Sequence, residues 1–248
     1  ETWHNWIERK PVQLTLLATL TILIGGAIQI VPTLMIESNI PTISSVKPYT
    51  PLELVGRDLY IREGCVSCHS QMIRPFRSEV ERYGEYSKAG EYVYDHPFLW
   101  GSKRTGPDLL RVGGKYSNNW HLNHMYDPTS TSSGSIMPAY PWLLEDEDDR
   151  SDIQKKMRAM VKLGVPYTPE EIENAFKSME DQALAIENSF YADPEFAKTY
   201  EAGKEAAAKE NRTFIDIRDR EITSLIAYLQ RLGTDIKIKN ETTTTPKP

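Results

Sequence analysis

Gly64-Cys65-Val66-Ser67-Cys68-His69 places two cysteines two residues apart, with a histidine directly after them. This is the pattern for covalent attachment of haem c. Each thiol can form a thioether to one vinyl group of a porphyrin. The adjacent imidazole is carried under the ring, where its Nε2 can ligate the iron. A structural zinc site would need a second pair of ligands, and the chain has no further cysteine to supply it. A thioredoxin-like dithiol belongs beside a βαβ pattern, which the sequence lacks. The stretch therefore points to one covalently bound haem c with Cys65 and Cys68 as attachment points and His69 as an iron ligand.

Immediately upstream, Thr50-Pro51-Leu52-Glu53 is a capping box with proline at the first helical position. It predicts a helix through Leu54, Leu59, Tyr60 and Ile61 that stops at Gly64. Before it, residues 41–51 carry prolines at 41, 48 and 51 and read as an extended linker. Further back, Pro11 to Ile36 is a run of 26 residues with no charged side chain. At roughly 1.5 Å per residue it makes about 39 Å of helix, more than the hydrocarbon core of a bilayer needs. A cleaved signal peptide would have a shorter apolar region followed by a small-residue cleavage site. Here Ile30-Val31-Pro32-Thr33-Leu34-Met35-Ile36 follows instead, so residues 1–40 read as a short tail and a retained transmembrane anchor. Gln13, Gln29, several threonines and Gly25-Gly26-Ala27 suggest that one face of the anchor meets other helices. Arg9 and Lys10 precede the span and Glu37 is the first charge after it. The positive-inside tendency then leaves the tail in the cytoplasm and the large domain outside. The first residue is Glu, as expected of a processed, truncated or fused chain. A net charge of −6 argues against a nucleic-acid partner.

Downstream of the haem motif, residues 70–104 show no regular periodicity, and a short helix is expected over Trp120 to Tyr126. The remainder reads as helical. Ser151 is the expected N-cap of a helix carrying Ile153, Met157 and Met160, ended by Gly164. Thr168-Pro169-Glu170-Glu171 opens another that carries Ile172, Phe176, Met179, Ala183 and Ile186. Asp193-Pro194 breaks it, a weaker Ala-rich helix reaches Asn211, and Asp219 caps a last helix of Ile222, Leu225, Ile226, Leu229 and Leu232 that Gly233 ends. The expected division is an anchor over 1–40, a linker over 41–51, a haem domain built from 52–144 and 217–234, a helical insertion over 145–216, and a polar tail over 235–248.

His69 leaves one axial position of the iron to fill. Met137 lies in a loop well C-terminal to His69, with Pro138 stiffening its backbone, so the loop can wrap over the opposite haem face. A thioether opposite histidine raises the reduction potential, which suits an electron carrier. Met72, Met125, His121 and His124 are the competing candidates. Arg74, Arg77, Arg104, Lys115, Tyr116 and Trp120 are candidates to hydrogen-bond the haem propionates.

Three stretches carry a resemblance. They are Gly56 to Arg77 around the haem motif, Tyr94-Asp95-His96-Pro97-Phe98-Leu99-Trp100-Gly101-Ser102-Lys103-Arg104-Thr105-Gly106-Pro107-Asp108-Leu109, and Met137-Pro138-Ala139-Tyr140-Pro141-Trp142. The sequence resembles the monohaem subunit of cbb3-type cytochrome c oxidases, and departs from that pattern over about 181–216. The resemblance implies a mainly α protein, one N-terminal transmembrane helix followed by a class I-like cytochrome c domain, with an added helical insertion. It implies electron relay to a haem–copper catalytic subunit that reduces oxygen in a bacterial inner membrane. The donor would be a further c-type cytochrome subunit or soluble cytochrome c. The haem c subunit of a nitric oxide reductase, and a stand-alone anchored c-type domain with a sensing or assembly role, are the alternatives. Likeness to c-type domains also implies that the Pro107 carbonyl meets Nδ1 of His69. It makes Lys115 and Trp120 the best-placed propionate partners. Lastly, it implies that the first and last helices of the domain cross beside the haem, with Gly56 letting the backbones approach and Tyr60 and Tyr228 at the crossing.

Overall fold

The computed structural model describes residues 2–36 and 40–241, and of the expected polar tail over 235–248 the part from 242 onward lies outside them. The chain divides into two units, residues 1–42 and 43–248. The first holds α1 (Trp3–Glu8) and α2 (Pro11–Met35), with Pro11 at the start of α2 where a missing N–H costs nothing. Over Pro11–Thr33 the helix is long and apolar enough to cross a membrane, and the chain itself covers essentially none of it. Three of its hydroxyls are turned back on their own helix. Thr15, Thr21 and Thr33 donate to the carbonyls of Pro11, Leu17 and Gln29 at 2.8–2.9 Å, which removes their need for water. This helix fits a membrane anchor.

The second unit is helical, and no strand forms among the described residues. It begins with α3 (Pro51–Arg62), whose capping box is formed: Glu53 N–H donates to Thr50 Oγ1, and Thr50 N–H to Glu53 Oε2 at 2.8 Å. A short 3₁₀ turn, Cys65–Ser67, follows. Next come α4 (Arg77–Tyr83), α5 (Asn118–Tyr126), α6 (Pro128–Thr131), α7 (Ile153–Lys162), α8 (Pro169–Glu173), α9 (Ala175–Phe190), α10 (Pro194–Lys209), α11 (Glu221–Arg231) and α12 (Thr234–Glu241).

The core is organised by α11 lying across α3. Their backbones meet at Gly56, where an added Cβ would fall inside the Ser224 carbonyl and 2.9 Å from Tyr228 Cβ. Tyr60 and Tyr228 fill the crossing, their ring centroids 5.4 Å apart at 58°, and neither has more than 1% of its surface exposed. Arg62 closes one end by donating to Glu221 Oε1 at 2.6 Å. From the same helix, buried Arg57 donates to the His96 carbonyl at 3.1 Å and to that of Pro97, seating the 94–109 segment on α3.

α9 forms a further layer against α3, α5 and α11. Its buried residues Ala175, Met179, Ala183, Ile186 and Phe190 recur every three or four positions on one face. Phe190 is fully buried and touches Phe196 of α10, and Phe196 in turn stacks on Tyr200. Phe190→Ala is expected to lower the unfolding free energy by about 3–5 kcal/mol, the usual range for emptying a buried aromatic site. Thermal unfolding followed by circular dichroism checks this, and an unchanged midpoint would show that α9 is not part of the core.

Two helix starts and the continuity of a third helix differ from expectation, although the Thr168 capping box forms. The segment after Thr168 is broken at Asn174 between α8 and α9. α7 begins at Ile153 behind Asp152, not behind Ser151. α11, expected as the last helix, begins at Glu221 rather than after an Asp219 cap, and α12 follows it. The reason for the last is tertiary pairing. Asp148 N–H donates to the Asp219 carbonyl at 2.8 Å and Glu221 N–H to the Asp146 carbonyl at 3.1 Å. The backbone of the acidic loop thus takes the Glu221 N–H, a donor that an Asp219 side-chain cap would otherwise serve. Gly233, with φ of 73°, follows the end of α11.

Candidate functional site

His69 follows the Cys65–Ser67 turn, and its N–H donates to the Cys65 carbonyl at 2.9 Å. Residues 99–109 run alongside, tied by three backbone bonds: Gln71 N–H to Trp100, Gly106 N–H to Cys68, and Leu109 N–H to Ser70, each 2.9–3.0 Å. Asp108 locks this pairing from within. Its buried carboxylate accepts from Ser70 Oγ at 2.6 Å and from the N–H groups of Met72 and Leu110 at 2.9 Å. Arg104 braces the outside, donating to Ser70 Oγ, the Met72 carbonyl and Glu79 at 2.7 Å each.

The result is a fixed imidazole. His69 Nδ1 lies 2.9 Å from the Pro107 carbonyl oxygen. A carbonyl can only accept, so Nδ1 carries the proton and Nε2 keeps its lone pair. Gly106 backs the ring from behind: a Cβ there would come within 2.7 Å of Nδ1 and 2.9 Å of Nε2. Cys65 and Cys68 are free thiols rather than a disulfide. Burial, with Glu63 and Cys68 adding to it, pushes the Cys65 thiol up to about 12, so it is a protonated sulfur and not a reactive thiolate.

The loop from Ser135 to Tyr140 is held at both ends. Met137 N–H donates to Ser135 Oγ at 3.2 Å, and Tyr140 N–H to the Met125 carbonyl at 2.8 Å. Beyond it, Trp142 Nε1–H donates to Glu63 Oε2 at 3.0 Å, which brings this end of the loop beside the haem motif. Met137 is half-buried, as are Cys65 and Val66, and all three lie against the main core. Trp120 stacks between Tyr116 (3.9 Å) and His124 (4.5 Å) along α5. Lys115 is exposed, its ammonium 5.1 Å above the Tyr116 ring.

The competing ligand candidates are placed as follows. Met125 is buried in the core, and the backbone of Met72 is taken by Asp108 and Arg104. His124 Nδ1 is 2.6 Å from Thr131 Oγ1. Burial, with the neighbouring His69 ring adding to it, pushes His124 down from its ordinary value. His121 is buried with no hydrogen-bond partner for Nε2 among the described residues, and burial pushes it down to about 4, so it is neutral. Of the arginines, Arg74 and Arg104 pair with Glu79 and Arg77 with Glu81.

This arrangement fits a haem c. The donor set is two unpaired thiols beside an imidazole whose outer nitrogen is free to bind iron, with Gly106 leaving no side chain in the way. The roles of Gly106 and of the Ser70–Asp108–Arg104 lock were not visible from residue type. A Gly-Pro pair after an unpatterned stretch was their only signal.

A family model described as "Cytochrome C oxidase, mono-heme subunit/FixO" matches residues 4–236. Among curated proteins, none matches the chain.

Proposed function

Because the chain belongs to the family of mono-haem subunits of cytochrome c oxidases, part of an oxidoreductase complex, we propose that it relays electrons to that complex's haem–copper catalytic subunit. Cys65 and Cys68 would hold one haem c by thioethers, with His69, through Nε2, and Met137, through Sδ, as the residues that would bind its iron. The bound iron supplies a one-electron couple. The chain's own contribution is rigidity. The Pro107 carbonyl fixes the tautomer and orientation of His69, which also raises its basicity as a ligand. Asp108 and Arg104 hold the segment that carries Pro107, so little rearrangement accompanies a change of charge. Trp120 and Lys115 are the proposed propionate partners. Electrons would arrive from a further c-type cytochrome subunit or soluble cytochrome c. The anchor would lie in a bacterial inner membrane, with Arg9 and Lys10 on the cytoplasmic side and the haem domain outside. Residues 145–216 are proposed as an excursion from the cytochrome fold.

The observation that carries this reading is the pair of free thiols beside an imidazole with Nδ1 committed and Nε2 open, in a chain matched to this family over nearly its whole length. The test uses Met137→His and Met137→Ala in the purified complex. Met137→His is expected to keep the iron low-spin, lower its potential and slow oxygen reduction driven from the donor. Met137→Ala is expected to open the iron to carbon monoxide. Retention of the methionine-to-ferric-iron charge-transfer band in either variant would remove Met137 as ligand. Unchanged turnover at a clearly lowered potential would remove the relay.

A further inference from the structure

On the far side of Pro107 lies an open cleft of about 410 Å³, lined by Arg74, Glu79, Arg82, Tyr83, Arg104 and the backbone around Gly106. Three guanidinium groups and one carboxylate face it. Glu79 is held down to about 2 by the hydrogen bond from Arg104, with Arg74 adding to it, so it is ionised. That single carboxylate serves both Arg74 and Arg104. The other nearby acid, Asp108, is buried and committed to Ser70, Met72 and Leu110, with Arg104 a further 3.5 Å away. Arg77 and Glu81 form their own pair at 2.7 Å. Arg82 forms no ion pair with any described residue, and its guanidinium sits 5.2 Å from the centre of the Tyr83 ring. Arg104 lies 5.1 Å from the same ring. Two guanidinium groups are thus held on one aromatic ring, and the wall keeps at least one positive charge beyond what its acids neutralise.

We propose that this cleft is an oxyanion site, taking a carboxylate or phosphate group on the fork of Arg82 with Arg74 and Arg104 beside it. Planar guanidinium forks match such groups in two-point geometry, and a cleft walled by protein strengthens the attraction. The consequence rests on the haem c reading above. An anion beside Pro107 lies on the His69 side of the haem, where negative charge favours the oxidised iron. Filling the site therefore lowers the haem potential.

The experiment titrates inorganic phosphate against chloride into the purified oxidase complex at constant ionic strength and pH. Haem c potential and ³¹P line broadening are followed together. Phosphate is expected to lower the potential saturably and to broaden, and Arg82→Gln is expected to weaken both by about tenfold, as loss of one charged hydrogen-bond donor does. If the cleft is instead filled by a carboxylate of a partner subunit, phosphate has no effect on the intact complex. In that case Arg82→Glu releases this subunit at lower salt than the unaltered complex. Absence of both effects overturns the proposal. Broadening does not depend on haem, so a site that broadens phosphate without haem c absorbance separates failure of the haem reading from failure of the cleft.

Discussion

Gly56→Val is expected to abolish stable haem incorporation, leaving a chain that reaches the membrane without haem c absorbance. The argument is steric and starts from the backbone. The crossing of α3 and α11 places the Ser224 carbonyl where a Cβ of residue 56 would have to be. The carbonyl belongs to a helix, so it cannot rotate aside as a side chain would. Tyr228 Cβ blocks the other direction at 2.9 Å. Overpacking usually costs about 1–3 kcal/mol where side chains can yield. Here one obstacle is a helix backbone carbonyl and the other a Cβ that no rotamer change can move, and the expected loss is above about 4 kcal/mol, a large part of the stability of a typical domain. Separating the helices would also part Tyr60 from Tyr228, and Tyr228 from Gln71, whose amide donates to its hydroxyl at 3.0 Å. Gln71 is two residues from His69, so the damage reaches the haem motif directly. Gly203→Ala in α10 is the control. Its Cβ would meet only Phe214 Cε2, at 3.9 Å, and helix propensity favours alanine by about 0.8–1.0 kcal/mol. Haem staining of membranes and the pyridine haemochrome spectrum read both variants. Normal haem content in Gly56→Val would mean that the crossing is not required for haem insertion.

The same crossing shows what could be read before the fold was known. Gly56, Tyr60 and Tyr228 were legible together because a c-type likeness supplied the pairing of two helices far apart in sequence. Spacing alone would have given two amphipathic helices and no contact between them. The capping box at Thr50 was legible for a simpler reason: all its partners lie within four residues. Asp219 failed as a cap because the Glu221 N–H it would have served is taken by the Asp146 carbonyl, some seventy residues away in the chain, a pairing that no local rule contains. In the candidate site the division is similar. Cys65, Cys68 and His69 are contiguous and announce their chemistry by spacing. Arg104 carried a charge that suggested propionates, whereas it braces Ser70, Met72 and Glu79. Its partners come from two other segments, so their geometry lay beyond sequence reasoning.

Gly106→Ala is expected to leave the haem covalently attached while disturbing its iron. Cys65 and Cys68 lie outside the affected contact, so thioether formation should proceed. The imidazole of His69 cannot stay where it is, because the new methyl group would come within 2.7 Å of Nδ1 and nearer still to Cε1. The ring must tilt or withdraw, and either movement breaks the 2.9 Å bond from Nδ1–H to the Pro107 carbonyl. That bond fixes which nitrogen carries the proton, so its loss lets the other tautomer compete for Nε2, the nitrogen proposed to bind iron. Disrupting a partner of this kind typically costs about 10–100-fold in metal affinity or activity. The expected signature is a mixed-spin spectrum, a shifted potential and binding of carbon monoxide by the reduced haem. Pro107→Ala separates the two parts of the argument. It keeps the carbonyl, while opening the ring, freeing φ and adding an N–H, so a much smaller change is expected. If Pro107→Ala proves as damaging as Gly106→Ala, the rigidity of the turn matters more than the space behind the imidazole. An unaltered spectrum in Gly106→Ala would show that His69 moves freely on that side, and that its hydrogen bond does not govern the iron.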